Sequence, residues 1–376
     1  MIALVALLPV AIWLYLLAGR GMFWAMQERD DADTPPEPVQ WPSVVAVVPA
    51  RNEADVIARS IGSLLAQDYP GPFRIVLVDD QSGDGTGEIA RKLDGTGRLE
   101  VHSGTPRPSG WAGKVWAMKQ GAGLAGTPEY LWFTDADIDH RPENLRRLVA
   151  RAEAGKLVLT SLMVKLHCRG FAEAYLIPAF VFFFDMLYPF RWVNDPRRKT
   201  AAAAGGCMLA QRAALERAGG IDTIRSEIID DCALGRAMKA EGPIWLGLTE
   251  RAASIRPYAG LPEIRRMVAR SAYAQLGYSP LALLGAFVGM IAVYGAAPVL
   301  AIVARDSAQA SGFLAWLAMA FAFQPILKFY RASPLWGLAL PLIGFVYALF
   351  TLDSAIQHWR GRGGMWKGRA QALGQS

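Results

Sequence analysis

The chain has 376 residues, a formal net charge of +6 and a pI near 9.3, with 53% hydrophobic and 19% charged residues. That length holds two or more domains, and the apolar excess is large for a soluble protein. Three cysteines, Cys168, Cys207 and Cys232, form no C-x-x-C pair, which excludes a zinc ribbon, speaks against a disulfide framework and fits a reducing compartment. No basic, aromatic-interleaved module lies behind the positive balance, so nucleic acid is not an expected partner; anionic membrane lipids account for the charge more simply.

The apolar excess is concentrated in runs. Met1 to Ala18 is followed by Gly19-Arg20-Gly21, a poor cleavage site, so it reads as an uncleaved anchor with its amino terminus outside the cytoplasm. No charged residue lies between Arg270 and Arg305, from Ser307 to Leu327, or from Ala332 to Leu352. Each of these stretches reaches the roughly 20 residues needed to cross a bilayer. Anchor and three spans would leave the basic tail, His358 to Arg369, outside. The positive-inside tendency opposes that, so the tail is expected to be cytoplasmic and one run re-entrant or interfacial. The expected organisation is an anchor (1–20), a linker (21–42), an α/β domain (43–275, in two halves, 43–140 and 141–275), a transmembrane region (276–355) and a basic tail (356–376).

Within the α/β domain the elements alternate. After the charged, proline-rich stretch Asp30 to Pro42, the apolar run Val44–Val48 predicts a strand buried on both faces. Ile57, Ile61, Leu64 and Leu65 then recur at helical spacing. Arg74–Asp80 is a second strand and Gly87–Leu93 a helix. Arg98–Val101 is a weaker strand, Lys114–Leu124 a helix, Tyr130–Asp135 a strand and Glu143–Ala154 a helix. Such alternation predicts a mostly parallel sheet with helices on both faces. The strand ends open onto Arg51-Asn52, Asp79-Asp80, His102 and Asp135, the edge where open α/β sheets bind ligands. Phe171 to Trp192 is dense in aromatics, but its uncharged core is too short to span; it reads equally as a segment on the membrane surface or a core helix.

Four polar motifs could carry chemistry, and each has a bland alternative. Asp135-Ala136-Asp137 crowds carboxylates at a strand end, which a cation or a solvated turn would tolerate; the same pattern at Asp31-Ala32-Asp33 has no strand before it. Val78 to Glu88 sets Asp79 and Asp80 before a glycine-rich turn. There Asp84 and Thr86 can cap the next helix, or Asp80 can accept hydrogen bonds from a nucleobase or ribose. Lys114 opens a helix behind glycines, as a diphosphate site or as a solvated lysine, and no Walker loop is present. Asp230 and Asp231 head a helix, where they suit its dipole or a partly buried general base. Arg266 and Arg270 share a helix face, as lipid anchors or as holders of a departing phosphate.

Taken in order, these motifs resemble family 2 glycosyltransferases of the GT-A fold: Val48-Pro49-Ala50-Arg51-Asn52-Glu53, Asp79-Asp80, Asp135-Ala136-Asp137 and Asp230-Asp231. The segments "VVPARNEADVI", "LIPAFVFFFDMLYPF", "AAAAGGCML" and "IIDDCAL" resemble the bacterial hopanoid-biosynthesis-associated glycosyltransferases, relatives of ceramide glucosyltransferases, from about Trp41 to the last span. Ala201 to Asp222 is similar to the family's acceptor-side segment. The [Q/R]-x-x-R-W ending of the wider family is reduced here to Arg270, which argues against polymer synthesis.

The resemblance implies a GT-A domain in the cytoplasm, held at a bacterial inner membrane by several spans. It implies an inverting transfer from a nucleotide sugar to a lipid hydroxyl, with Asp231 as base and Asp230 in support. Pro49, Arg51, Asn52, Glu53, Asp79, Asp80, Lys114, Asp135, Arg266 and Arg270 would bind the donor. Asp135 and Asp137 would hold a divalent cation, magnesium or manganese. A polyprenyl-phosphate acceptor, or a non-catalytic protein that binds nucleotide sugar or hopanoid, are the alternatives. The sequence leaves the sugar, the acceptor and the oligomeric state open.

Overall fold

Val44–Ala50 forms a strand, β1, in which every side chain is buried. An unbroken run of β-branched and small apolar residues favours such a doubly covered position. In this computed structural model, which describes residues 6–93, 95–366 and 369–370, β1 lies within an eight-stranded sheet. Its companions are β2 (Phe73–Asp79), β3 (Leu99–Ser103), β4 (Tyr130–Thr134), β5 (Ile138–His140), β6 (Leu159–Lys165), β7 (Cys207–Gln211) and β8 (Ile244–Ser254), in the order β3-β2-β1-β4-β7-β6-β8-β5. Strands β3, β2, β1 and β4 run parallel, as the alternation predicts, and β6 runs parallel to β8. β7 is antiparallel to both its neighbours, and β5 closes one edge antiparallel to β8. Element ends differ from the expected ones by a residue or two, the usual uncertainty of such boundaries.

Pro49 is tolerated in a central strand because of register. Val44 donates to Pro72 O while Ser43 O accepts from Tyr130, so alternate residues of β1 face β2 and β4, and Pro49 faces β4. Pairing with β4 stops at Val47. The missing N–H therefore breaks no ladder bond.

The same topology assembles the polar edge. Strands β1, β2 and β4 end there, at Ala50, Asp79 and Thr134, and antiparallel β7 begins there, with Cys207 opposite Thr134. The small-residue stretch Ala201–Gly206 thus arrives beside the D-x-D turn. Helix Asp230–Glu241 grips both that stretch and the residues leading into it. A Cβ on Gly235 would lie 2.7 Å from the Ala202 carbonyl carbon, so only glycine permits the approach. At the helix tail, Lys239 Nζ donates to the carbonyls of Trp192, Val193, Asp195 and Thr200 at 3.2, 2.7, 3.1 and 2.7 Å.

The stretch expected to be a linker is pinned to this sheet. Asp30 is buried and accepts from Thr249 Oγ1 at 2.8 Å and Arg251 Nη1 at 2.6 Å, and Arg29 bridges to Leu248. Asp31 and Asp33, the second D-x-D, pair with Arg29 and Arg151.

The sheet belongs to one compact unit, Glu28–His167 with Trp192–Pro257 and the described part of Gly364–Ser376. The other unit comprises the described part of Met1–Gln27 together with Cys168–Arg191 and Tyr258–Gly363. It contains three helices long and apolar enough to cross a membrane, Pro280–Val303, Asp306–Tyr330 and Leu340–Trp359, of 24, 25 and 20 residues. The first lies within a charge-free run and the second covers one, whereas the third takes only the latter part of its run and continues past Asp353. Leu281, Ile302, Val303 and Leu317 point outward from them, a pattern that suits lipid rather than water. The shorter apolar helix Leu8–Gly19 is fastened by fully buried Trp13, whose Nε1 donates to Val293 O at 2.8 Å in the π-helical turn Ile291–Gly295.

Helix Phe171–Leu187 and residues 258–275, both assigned above to the catalytic domain, fall in this second unit. Buried Glu173 fixes the start of that helix, accepting from the N–H groups of Arg169, Gly170 and Tyr258 at 2.8, 2.7 and 2.8 Å. The first five residues of the anchor run and tail residues 367, 368 and 371–376 lie outside the described residues.

Candidate active site

Lys114 sits in the first turn of helix Gly113–Leu124. Its ammonium lies 2.8 Å from Asp135 Oδ1 and 3.3 Å from Asp230 Oδ2. One lysine thus joins the D-x-D turn to the acidic pair of a distant helix. Asp230 is buried, and its Oδ2 makes this ion pair but no hydrogen bond among the described residues. Asp231 is half-buried. Its Oδ1 accepts from Cys232 N–H at 2.7 Å and its Oδ2 from Gly205 N–H at 2.9 Å.

These surroundings set the charges. Burial, reinforced by the neighbouring Asp230 charge, pushes the Asp231 carboxyl up to about 6, against the opposing pull of Lys114 and the two N–H donors. Burial works against the Lys114 ammonium, yet the carboxylates of Asp135, Asp230 and Asp231 more than reverse it and hold that group well above the usual lysine range. The small residue Gly205 makes the cluster possible: a Cβ there would lie 3.0 Å from Lys114 Nζ and 3.4 Å from Asp231 Oδ2.

A second group forms where β1 and β2 end. Fully buried Asp80 has its carbonyl bonded by Arg51 Nη1, which also reaches Gln81 O at 3.2 Å and lies 3.7 Å from Asp80 Oδ2. Asp79 Oδ1 accepts from Ser82 N–H at 3.0 Å. Asn52 donates its N–H to Ser82 Oγ and accepts from Gly83 N–H, each at 3.0 Å. Asp84 and Thr86 stand at the start of the following helix, as one reading of the sequence expects: Asp84 Oδ1 accepts from the N–H of Thr86, the first helical residue, at 3.1 Å. They bond each other and accept from Ala54 and Glu53 N–H at 3.0 and 2.8 Å, lacing the two motif loops into one surface.

Arg256 links the groups from the far end of β8. Its guanidinium pairs with Glu53, lies 3.3 Å from Asp55 and places Nε 3.6 Å from Asp137 Oδ2; Ser254 Oγ donates to the same oxygen at 3.5 Å. Sequence reasoning does not reach Arg256 or Ser254, because neither stands in a motif. The adjacent glycines after Ala204 are the one visible signal for the close approach at Gly205. Arg266, on helix Leu261–Ala269, and Arg270, its C-cap, belong to the other unit.

Among the described residues, no group of three or more His, Cys, Asp and Glu is placed to hold a metal ion. Magnesium-type sites commonly use one or two carboxylates and complete their shell with water and substrate phosphates. Two hard carboxylates at the D-x-D turn fit a site of that open kind and not a closed protein cage.

A mixed, mostly parallel α/β sheet with an acidic turn after β4, followed by apolar helices, defines a GT-A fold with membrane-compatible segments. The mannosyltransferase PcManGT from Pyrobaculum calidifontis, solved in complex with GDP-Man and Mn2+, has this fold. It matches 96% of this chain and 100% of its own at a TM-score of 0.57 and 18% identity. Residues 45–219 match the family model Glycosyl transferase family 2. The succinoglycan biosynthesis protein ExoO of Rhizobium meliloti (strain 1021) is 36% identical over 121 residues, 32% of each chain. The undecaprenyl-phosphate mannosyltransferase of Micrococcus luteus is 30% identical over 126 residues, 32% of this chain and 49% of that protein. The match therefore spans about a third of the first relative and about half of the second. Family match, relatives and fold together support a glycosyltransferase enzyme.

Proposed function

We propose that the protein is a membrane-bound inverting glycosyltransferase that moves a sugar from a nucleotide-sugar donor to a lipid hydroxyl. The observation that carries this reading is the Lys114 bridge, which brings a donor-side D-x-D and a high-pKa carboxylate into one cluster at the ligand-binding edge of the sheet. The family 2 match and the GT-A fold support the same chemistry.

In this reading the nucleoside lies over the laced loops at Arg51, Asp79 and Asp80, with its diphosphate toward Lys114. Asp231 receives the acceptor's hydroxyl proton. The oxygen forms its bond to the anomeric carbon as the bond from that carbon to the diphosphate breaks on the opposite face. A single displacement of this kind inverts the anomeric configuration. A pKa near 6 leaves Asp231 ionised at neutral pH and more basic than an ordinary aspartate, which suits a general base. A divalent cation, held by Asp135 and Asp137, would neutralise charge on the departing nucleoside diphosphate.

The acceptor is proposed to be a hopanoid or a related membrane lipid, on the resemblance of the four sequence segments above and the three span-length helices. The catalytic domain would face the cytoplasm, where nucleotide sugars are made. Lipid analysis of a deletion strain, followed by transfer of labelled sugar in membranes carrying the restored chain, tests this. An unchanged glycolipid profile, with no transfer from any nucleotide sugar, would sink it.

One observation favours a second reading, the similarity to the undecaprenyl-phosphate mannosyltransferase. A phosphate acceptor is already ionised and needs no base. Transfer that survives Asp231→Asn would select it.

A further inference from the structure

We propose that His140 is a positioning residue that locks the D-x-D turn to the glycine loop holding Asp231. The inference rests on the glycosyltransferase reading and adds to it a residue that no motif contains.

His140 ends β5 and is 3% exposed. Its Nε2 lies 2.9 Å from Thr134 Oγ1, and its Nδ1 lies 3.1 Å from Asn144 Nδ2. Thr134 Oγ1 is in turn 2.9 Å from the carbonyl oxygen of Gly206. Proton accounting gives this chain one direction. A carbonyl can only accept, so the single hydroxyl proton of Thr134 goes to Gly206. Thr134 Oγ1 must then accept from His140, which puts the imidazole proton on Nε2. Nδ1 is left as an acceptor, and the Asn144 amide nitrogen donates to it. The amide's other proton faces Cys207 Sγ at 3.8 Å. A neutral ring is what the surroundings demand, since burial alone pushes the His140 pKa down to about 3.

The two ends of the chain explain its place. Thr134 immediately precedes Asp135, and Gly206 immediately follows Gly205, the residue whose N–H holds Asp231. The backbone ladder between β4 and β7 stops at the pair Thr134–Cys207. Beyond it, the Thr134 side chain supplies the next cross-strand bond, and His140 fixes the rotamer that makes it. Burying three polar side chains costs free energy that an apolar filling would avoid, the more so because Asn144 Oδ1 has no hydrogen-bond partner among the described residues. Donors aligned in one direction also polarise each other and stiffen the whole. Orientation is the one gain such a chain offers at this junction, where the cation-side and base-side halves must keep a fixed separation.

The test uses the full-length protein and measures kcat, donor KM, and binding of UDP and GDP. Thr134→Val keeps the shape and removes the hydroxyl; Thr134→Ser restores it. Loss of a supporting partner typically costs about 10- to 100-fold, so kcat should fall by that factor in Thr134→Val and His140→Phe. Nucleotide binding and donor KM should stay near wild type. Thr134→Ser should recover most of kcat, and His140→Gln, which keeps a donor nitrogen, should exceed His140→Phe. The double variant Thr134→Val/His140→Phe should be no worse than the poorer single one, because both break one chain. Full kcat in both single variants, equal damage from Val and Ser, or additive losses would overturn the proposal. If Thr134→Val does not fold, the comparison of His140→Gln with His140→Phe decides. A wild-type protein that transfers no sugar would instead overturn the glycosyltransferase reading itself.

Discussion

Asp231→Asn keeps the shape of the proposed base and removes its proton acceptor, and it should alter activity and stability in opposite directions. Loss of a general base typically lowers turnover by about 10²- to 10⁴-fold. Stability follows from the carboxyl's displacement from 3.8 to about 6. At about 1.4 kcal/mol per pH unit, that displacement corresponds to about 3 kcal/mol. A raised carboxyl pKa means that the folded chain binds the proton more tightly than the unfolded one. Ionisation therefore destabilises the fold, with no penalty below about pH 4 and the full penalty above about pH 6. Asparagine never ionises, though it replaces only one of the two N–H acceptors, an offset of about 1 kcal/mol at every pH. The variant should be slightly less stable than wild type at pH 4 and more stable by up to about 2 kcal/mol at pH 7.5. Thermal unfolding of both proteins in detergent at the two pH values reads this directly. The acid limb of kcat/KM, expected near pH 6 in wild type, should disappear in the variant. Because Asp230 and Asp231 interact, the limb belongs to the pair, and Asp230→Asn should move it to lower pH while costing less activity. A stability difference that does not change with pH, or an acid limb that survives Asp231→Asn, would refute the reasoning.

Other outcomes follow from the same geometry. Gly205→Ala puts a methyl 3.0 Å from Lys114 Nζ and 3.4 Å from Asp231 Oδ2; the fold should survive, since the lysine can shift, while kcat falls by up to about 10²-fold, and unchanged kcat would show that the cluster tolerates displacement. Lys114→Met leaves buried carboxylates without their partner and should cost about 3 kcal/mol at neutral pH, a loss read by thermal unfolding that should shrink in acid as the carboxylates protonate. EDTA should stop transfer and manganese restore it, with Asp137→Ala inactive and Asp33→Ala normal. Full activity in EDTA would remove the cation from the mechanism.

The parts of this molecule legible in the sequence are those whose cause is local. Strand β1 follows from consecutive valines, the helices from apolar spacing, and the three span-length helices from runs without charge. The D-x-D at Asp135 could be told from the one at Asp31 because a strand precedes only the first. Other features depended on which distant residues the closed sheet brings together. Nothing around Lys114 announces that its partners are Asp135 and Asp230, and nothing around Arg256 announces Glu53 and Asp137. Asp30 reads as linker until Arg251 and Thr249 are seen to bury it, and the grouping of Phe171–Leu187 with the apolar helices is not visible along the chain. Antiparallel β7, which delivers Gly205 and Gly206 to the site, has no local signature of its direction. Hydropathy and periodicity are properties of neighbours along the chain. An ion pair or a loop approach is instead a distance between segments, decided only when strand order and register bring their side chains to the same edge.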